Sequence, residues 1–281
     1  MEDEGILVQV TFEVGYFKKG NGSCVVLLIG GLMHNLFNHN CFREIQRTLC
    51  NKYTVCTVQL RSTGCGFGIY TIDDDVEDIT AIIEDLKKKQ KVERIVLIGH
   101  STGCQDVVAC LRQSLDKKYP VVKCVLQCPV SDRDFGRTFH GINEEVGRLM
   151  KKYNAKSEKE LSSLPNVNSL TDASNEKYAE NIMLMERRFI SLFAQGGYED
   201  FFSTDITNEE FSNIFQCIQI PVLLVFATQD QYVPYSSEEY ALLMKRICAS
   251  NTNFTMKTVA DNHSMEGDGL QVFVELVKEF L

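Results

Sequence analysis

Apolar residues along this chain follow two rhythms. Short runs rich in β-branched residues occupy Ile6–Val14, Cys24–Ile29, Tyr53–Leu60, Ile95–Ile98, Val121–Gln127, Val222–Ala227 and Asn253–Val259. Runs of this length, largely apolar on both faces, suit strands buried in a parallel sheet. Between several of them the apolar spacing changes to three and four. In Ile72–Gln90 the residues Ile72, Val76, Ile79, Ile82, Ile83 and Leu86 line one helical face. Asp73, Asp74 and Asp75 open that helix and Lys87, Lys88 and Lys89 close it. Both placements favour the macrodipole, so the three aspartates read as helix-start chemistry rather than as a metal site. Further helices are expected over Cys104–Asp116, Ser236–Cys248 and Leu270–Phe280. Strands alternating with helices predict a mostly parallel, doubly wound α/β sheet.

The rhythm breaks after Pro129. From about Asp132 to Gln216 no strand-like run occurs, and Asn143–Lys152 and Asn175–Phe193 look helical and more polar. Pro221 then reopens a clean strand. The expectation is one α/β domain over 1–281, with 132–216 inserted as a helical lid or cap over the strand ends. A length of 281 residues also suits two average domains, but one large α/β domain fits it equally well.

Composition narrows the class. Apolar residues make up 44% and charged residues 24%, close to globular averages, which excludes a disordered chain. Against 38 Asp plus Glu stand 29 Lys plus Arg, a net charge of −9. That balance argues against a nucleic-acid partner, which needs clustered cations. The longest apolar run, about Val25 to Met33, is well short of the ~20 residues of a spanning helix. The start Met1-Glu2-Asp3-Glu4 is acidic, unlike a secretory or mitochondrial signal. Eleven cysteines, an odd count without CxxC pairs, include Cys24, Cys56, Cys110 and Cys124 inside apolar runs. That pattern predicts reduced, buried thiols and a cytoplasmic protein. No Cys/His spacing resembles a zinc site, so no metal and no cofactor is expected.

The stretch Ile95-Val96-Leu97-Ile98-Gly99-His100-Ser101-Thr102-Gly103-Cys104 carries G-x-S-x-G between a predicted strand and a predicted helix. That is the context of a nucleophile elbow. A turn so sharp strains Ser101 and needs glycine at 99 and 103, where side chains would collide with strand or helix. Five letters alone are a weak signal, and an idle serine in a glycine-rich turn is the bland alternative. A serine hydroxyl needs a base, and the base needs an orienting acid. Asp230 follows the strand Val222–Ala227, and His263 follows Asn253–Val259. Both lie just past strand C-terminal ends, where open α/β sheets place ligands. Asp261 and Asp205 are the reserve acids, though Asp261 is too close to His263 in sequence to reach its far nitrogen easily. For an oxyanion hole, the N–H of Thr102 is one donor, and the loop Ile29-Gly30-Gly31-Leu32-Met33 offers the N–H of Leu32 as the other.

Weaker candidates surround these. His100 is expected to be packed or hydrogen-bonded, and His34 and His39 are possible pocket-lining residues. The loop Arg61-Ser62-Thr63-Gly64-Cys65-Gly66-Phe67-Gly68 fails G-x-G-x-x-G because position 69 is Ile. It reads as a flexible loop at the pocket rim, with Arg61 a minor candidate for an acidic substrate group. Arg187 and Arg188 read as a solvated helix face, and Cys104 as buried and inert.

These residues resemble the α/β-hydrolase superfamily, in type, order and context, over essentially the whole chain. A closer resemblance is to a subgroup of fungal, plant and protist α/β-hydrolases that includes siderophore-esterase-like proteins. Ile29-Gly30-Gly31-Leu32, Gly99-His100-Ser101-Thr102-Gly103-Cys104-Gln105-Asp106, Leu126-Gln127-Cys128-Pro129-Val130-Ser131-Asp132-Arg133 and Arg188-Phe189-Ile190-Ser191-Leu192 carry it. One departure is Gly30-Gly31 where many relatives carry His-Gly. The resemblance implies a serine hydrolase acting on a small-molecule, ester-like substrate through an acyl-enzyme on Ser101, with His263 as base and Asp230 as its orienting acid. A reading of another class is a ligand receptor on the same fold with slow or absent turnover. Retention of all three residues argues against it. Oligomeric state is not legible in the sequence.

Overall fold

The computed structural model describes residues 4–178 and 182–281. Among the described residues the strands are β1 (Ile6–Gln9), β2 (Gly15–Lys19), β3 (Cys24–Ile29), β4 (Thr54–Gln59), β5 (Arg94–His100), β6 (Val121–Gln127), β7 (Ala173–Tyr178), β8 (Ile182–Met185), β9 (Val222–Ala227) and β10 (Phe254–Val259). Eight of them form one sheet in the order β1-β2-β4-β3-β5-β6-β9-β10. From β4 to β10 every neighbour is parallel, while β2 runs antiparallel to both β1 and β4. The mostly parallel sheet is the one the alternating rhythm predicts.

Period-two alternation divides the core between the two faces. On one face Val25, Leu27 and Ile29 of β3 pack with Leu97 of β5. Val76 and Ile79 of the helix Ile72–Lys89 and Val107 and Val108 of the helix Gly103–Arg112 cover them. On the other face Val26 and Leu28 meet Phe42 and Ile45 of the helix Asn40–Leu49, and Phe273 and Val277 of the helix Gly269–Phe280. A parallel strand covered on both faces must be apolar throughout, which is why these runs carry no polar alternation. No helix among the described residues is long and apolar enough to cross a membrane.

Four expectations need correction. The run Ile6–Val14 is not one strand. The amides of Val10 and Thr11 both donate to the carbonyl of Val14, at 2.8 and 3.1 Å, folding the chain back into β2. Gly15 marks the turn-back, since a Cβ there would lie 2.6 Å from the carbonyl oxygen of Val8. The helix expected over Cys104–Asp116 stops at Arg112, because Ser114 is left-handed at φ 64°, and a short helix resumes over Leu115–Lys118. Asn175–Phe193 is helical only over Glu186–Phe193. Before it, β7 and β8 form an antiparallel pair, with Ala173 opposite Met185 and Tyr178 opposite Ile182. The alternation there is short: Met183 is exposed and Leu184 buried. Residues 179–181 of that expected helix lie outside the described residues. Finally, the helices Asn40–Leu49 and Asn208–Phe215 add to those expected.

The connection from β6 to β9 also contains the helix His140–Lys152, which starts three residues before the expected Asn143. It has its own apolar cluster, in which Ile142, Val146 and Leu149 pack with Leu184, Phe189 and Phe193.

Candidate active site

The elbow forms where β5 meets its helix. Ser101 adopts φ 55°, a region costing a non-glycine residue roughly 1–3 kcal/mol. Its amide donates to the carbonyl of Gln127 at 3.1 Å, and its carbonyl accepts from Cys104 at 2.9 Å. The flanking glycines are sterically required. A Cβ on Gly99 would lie 2.3 Å from the carbonyl oxygen of Gly103, and one on Gly103 would lie 2.3 Å from that of Ile29. Met33, Cys128 and Met265 are also left-handed, so strained backbone gathers just past the ends of β3, β5, β6 and β10.

His263 and Asp230 meet as the sequence order requires. The His263 Nδ1 lies 2.7 Å from Asp230 Oδ2, and both residues are buried. With Nδ1–H donated to the carboxylate, the neutral ring keeps its lone pair on Nε2. The other carboxylate oxygen, Oδ1, accepts the Tyr232 amide at 2.9 Å. The His263 amide donates to Gln231 Oε1 at 3.1 Å, a contact no sequence signal announced. Tyr232 packs edge-on against the His263 ring at 4.7 Å. The reserve acids stand elsewhere. Asp261 caps the Gly267 amide at 3.1 and 3.0 Å, and Asp205 pairs with Arg133.

Ser101 and His263 open on one cavity of about 590 Å³, shared with Leu32, Phe135, Phe139 and Tyr232. The loop after β3 abuts Ser101: a Cβ on Gly31 would lie 2.6 Å from Ser101 Cβ. His34 closes a turn there, its amide donating to the Gly31 carbonyl at 3.1 Å and its Nδ1 accepting the Gly31 amide at 2.9 Å. Among the described residues, the N–H groups of Leu32 and Thr102 have no protein acceptor.

His100 is buried, and its Nε2 lies 3.1 Å from the His263 carbonyl oxygen. As expected it is packed and hydrogen-bonded. His34 lines the cavity, whereas His39 is buried behind it, stacked on Phe42. Burial lowers the pKa of all three rings, His34 to about 4, so they stand neutral. Cys104 is fully buried and its thiol pKa is pushed well up by burial, as expected of an inert residue.

The two arginine expectations change. Arg61 is held by Asp78 at 2.7 Å, Glu77 at 3.1 Å and Asp74 at 3.3 Å, so it faces the helix Ile72–Lys89 rather than a substrate. Arg188 is not on a solvated face. It is 2% exposed and pairs with Glu199 at 2.7 Å. The cause is a cluster of acids around it. Asp75 and Asp106 are also buried, and Asp132 is half-buried, its carboxylate accepting from Gln105 Nε2 at 2.6 Å. Only Asp74 of the three expected helix-start aspartates caps the helix, accepting the Thr71 amide at 2.8 Å. A small void is bounded by Leu32, Thr102, Asp75, Asp106 and Arg188, so part of this cluster lies near the residues that carry the two free N–H groups.

Burial pushes the Asp132 carboxyl up to about 7, and it raises Asp75 as well, against the lowering pull of Arg188. The folded state therefore holds protons that the unfolded chain releases near pH 4. The stability contributed by these carboxyls is complete below pH 4 and is lost as pH rises through about 7. Asp132→Asn should flatten the fall in thermal midpoint between pH 5 and pH 8. An unchanged pH profile in that variant would remove Asp132 as its source.

Comparison with known proteins adds three likenesses. UPF0613 protein PB24D3.06c of Schizosaccharomyces pombe is 27% identical, covering 78% of this chain and 72% of that protein. Fusarinine C esterase sidJ of Aspergillus fumigatus is 24% identical, covering 81% and 77%. Among solved structures, the siderophore hydrolase EstB from Aspergillus fumigatus superposes with a TM-score of 0.72 at 21% identity, covering 99% of this chain and 97% of that one. The fold is the α/β-hydrolase fold. A family model described as "Protein of unknown function (DUF1749)" matches residues 7–269, nearly the whole chain, and the protein belongs to that family.

Proposed function

We propose that the protein is a serine hydrolase that cleaves a small-molecule ester-like bond, a carboxylic ester or thioester. The observation that carries this reading is the buried His263–Asp230 pair opening on the same cavity as the strained Ser101. Ser101 Oγ attacks the carbonyl carbon while His263 Nε2 takes its proton. Asp230 stabilises the imidazolium and holds its tautomer. The oxyanion is received by the N–H groups of Leu32 and Thr102, and one such donor contributes roughly 3–4 kcal/mol to transition-state stabilisation. The protonated His263 returns its proton to the leaving group. Water, deprotonated by the same ring, then releases the acyl group from Ser101. The elbow chemistry uses no group beyond these side chains and the backbone. Curated relatives named as esterases support the class of bond.

The 132–216 connection serves in this reading as a lid within a single 1–281 domain, since Phe135, Phe139 and Ile142 wall the cavity. Labelling with a fluorophosphonate probe tests the reading. Rapid labelling of the wild type, absent in Ser101→Ala, is expected. A folded wild type that never labels would turn attention to the receptor alternative.

The lining predicts selectivity. Its side chains are largely apolar and aromatic, and among the described lining residues Asp132 carries the one carboxyl group and no Lys or Arg occurs. An anionic acyl group would be desolvated there without a partner. p-Nitrophenyl butyrate should exceed p-nitrophenyl hemisuccinate in kcat/KM by roughly tenfold or more, about 1.4 kcal/mol. Equal values would mean the acyl group lies outside this cavity.

The glycine loop is equally testable. Gly31→Ala forces the loop away from Ser101 and should lower kcat by about 10²–10³, the cost of one misplaced oxyanion donor. An unchanged kcat would place the hole elsewhere.

A further inference from the structure

Three histidines to which the proposed hydrolysis gives no acid or base role converge beside it. His34 and His39 come from the loop after β3, and His100 from the end of β5. Their ring centroids lie 4.6 Å (His34–His39), 5.0 Å (His34–His100) and 4.3 Å (His39–His100) apart. Each offers a ring nitrogen, and the three nitrogens all lie within 4.8 Å of one another. Zinc–imidazole bonds of about 2.0–2.1 Å place the nitrogens of a tetrahedral site roughly 3.3 Å apart, so small ring rotations close the difference.

We propose that His34, His39 and His100 bind one divalent transition-metal ion of the zinc type. The unpartnered atoms point to it. Both ring nitrogens of His39 and Nδ1 of His100 are buried without a hydrogen-bond partner, in residues only 4% and 1% exposed. Orphaned buried polar atoms of this kind are rare and call for a ligand or ion. His100 is already set as a ligand. Its Nε2–H is directed at the His263 carbonyl, which leaves the Nδ1 lone pair free. A backbone carbonyl holding the far nitrogen of a ligating histidine is the usual second partner in such sites.

The donor set chooses the ion. Imidazole nitrogens without carboxylate oxygens suit zinc, copper, nickel and cobalt, and offer nothing to calcium or magnesium. Three protein ligands leave a coordination position free, and His34 and His100 both border the large cavity, so an ion has a route in. No spacing in the sequence revealed the set because its third member, His100, joins from a different strand.

Ion binding also touches the loop beside Ser101. His34 Nδ1 now accepts the Gly31 amide at 2.9 Å, so the neutral ring carries its proton on Nε2. Ligation through Nδ1 replaces that donor. Ligation through Nε2 requires the proton to move to Nδ1, which breaks the same bond. Either way the Gly31 N–H is released next to the nucleophile.

The test is a titration of the metal-free full-length chain with Co²⁺, followed by Zn²⁺ in competition with a chromophoric chelator. The expected result is one ion per chain, with visible d–d bands of low-symmetry cobalt and no near-ultraviolet thiolate charge-transfer band. His39→Phe, which keeps the stack on Phe42, and His34→Gln, at a half-buried position, should each weaken binding about 100-fold or more, with thermal unfolding showing that the variants fold. Absence of one-to-one binding in the wild type, retention of it in His34→Gln, or a thiolate band would each overturn the proposal. None of these readouts depends on hydrolysis, so their failure leaves the serine-hydrolase reading untouched.

Discussion

Ser101→Ala is expected to lower kcat on an activated ester by about 10⁴–10⁶ while leaving the fold intact. In the proposed mechanism the hydroxyl is the only atom that forms the acyl bond, so its loss would remove covalent catalysis rather than weaken it. What survives is the polar environment: two N–H donors and the cavity, which in such sites still give roughly 10³–10⁴ over water. His263→Ala should fall by a similar factor, because an unactivated hydroxyl is a poor nucleophile. The double variant should be hardly worse than either single one, since the proposed mechanism has the two residues act as one unit. Initial rates on p-nitrophenyl butyrate check all three, with thermal midpoints as control. A Ser101→Ala enzyme keeping a tenth of its activity would sink the assignment, and additive losses would show that the two residues work apart.

The second large effect concerns stability. Arg188→Met should cost about 3–5 kcal/mol, which lowers the midpoint by on the order of 10 °C in a chain of this size. Arg188 is the cation that the buried Glu199, Asp75 and Asp106 share with the half-buried Asp132. Removing it strands carboxylates that cannot reach water. They respond by taking up protons, so the loss should be smaller at pH 5 than at pH 8. Glu199→Gln added to Arg188→Met should recover part of it, because the stranded partner is then neutral. Equal losses at both pH values, without recovery in the double variant, would assign the effect to lost packing alone.

Sequence pattern revealed much of the sheet and the elbow for a physical reason. A strand buried on both faces is a local run, and G-x-S-x-G between strand and helix is a local steric demand. Asp230 and His263 were legible because each directly follows such a strand. Features set by distant partners were not. Asp75 reads as a helix-start charge until Arg188, far along the chain, arrives above it. β7 is polar, as Asn175 and Lys177 show, so its pairing with β8 leaves no apolar signature. The helix Asn40–Leu49 begins at His39 without a side-chain cap, and its buried face mixes Cys41 and Gln46 with Phe42 and Ile45. The histidine cluster was hidden in the same way, with one member from β5 and two from another loop.

The sheet pairs β6 directly with β9, Cys124 opposite Val222, although the whole 132–216 connection separates them in the chain. Chain entropy makes that arrangement permissive. Closing a loop costs free energy only as the logarithm of its length, so doubling the connection would cost about 0.6 kcal/mol. The register of β6 on β9 is held by their own ladder, whatever the intervening chain does. Phe135, Phe139 and Ile142 sit in that connection, whereas Ser101, Asp230 and His263 sit outside it. Chain closure therefore sets little penalty on lengthening or shortening the segment around Phe135, Phe139 and Ile142, while Arg188 and Glu199 of the same connection stay tied to the interior. The fold separates a cavity wall whose length is loosely constrained from an elbow whose geometry is fixed by the sheet.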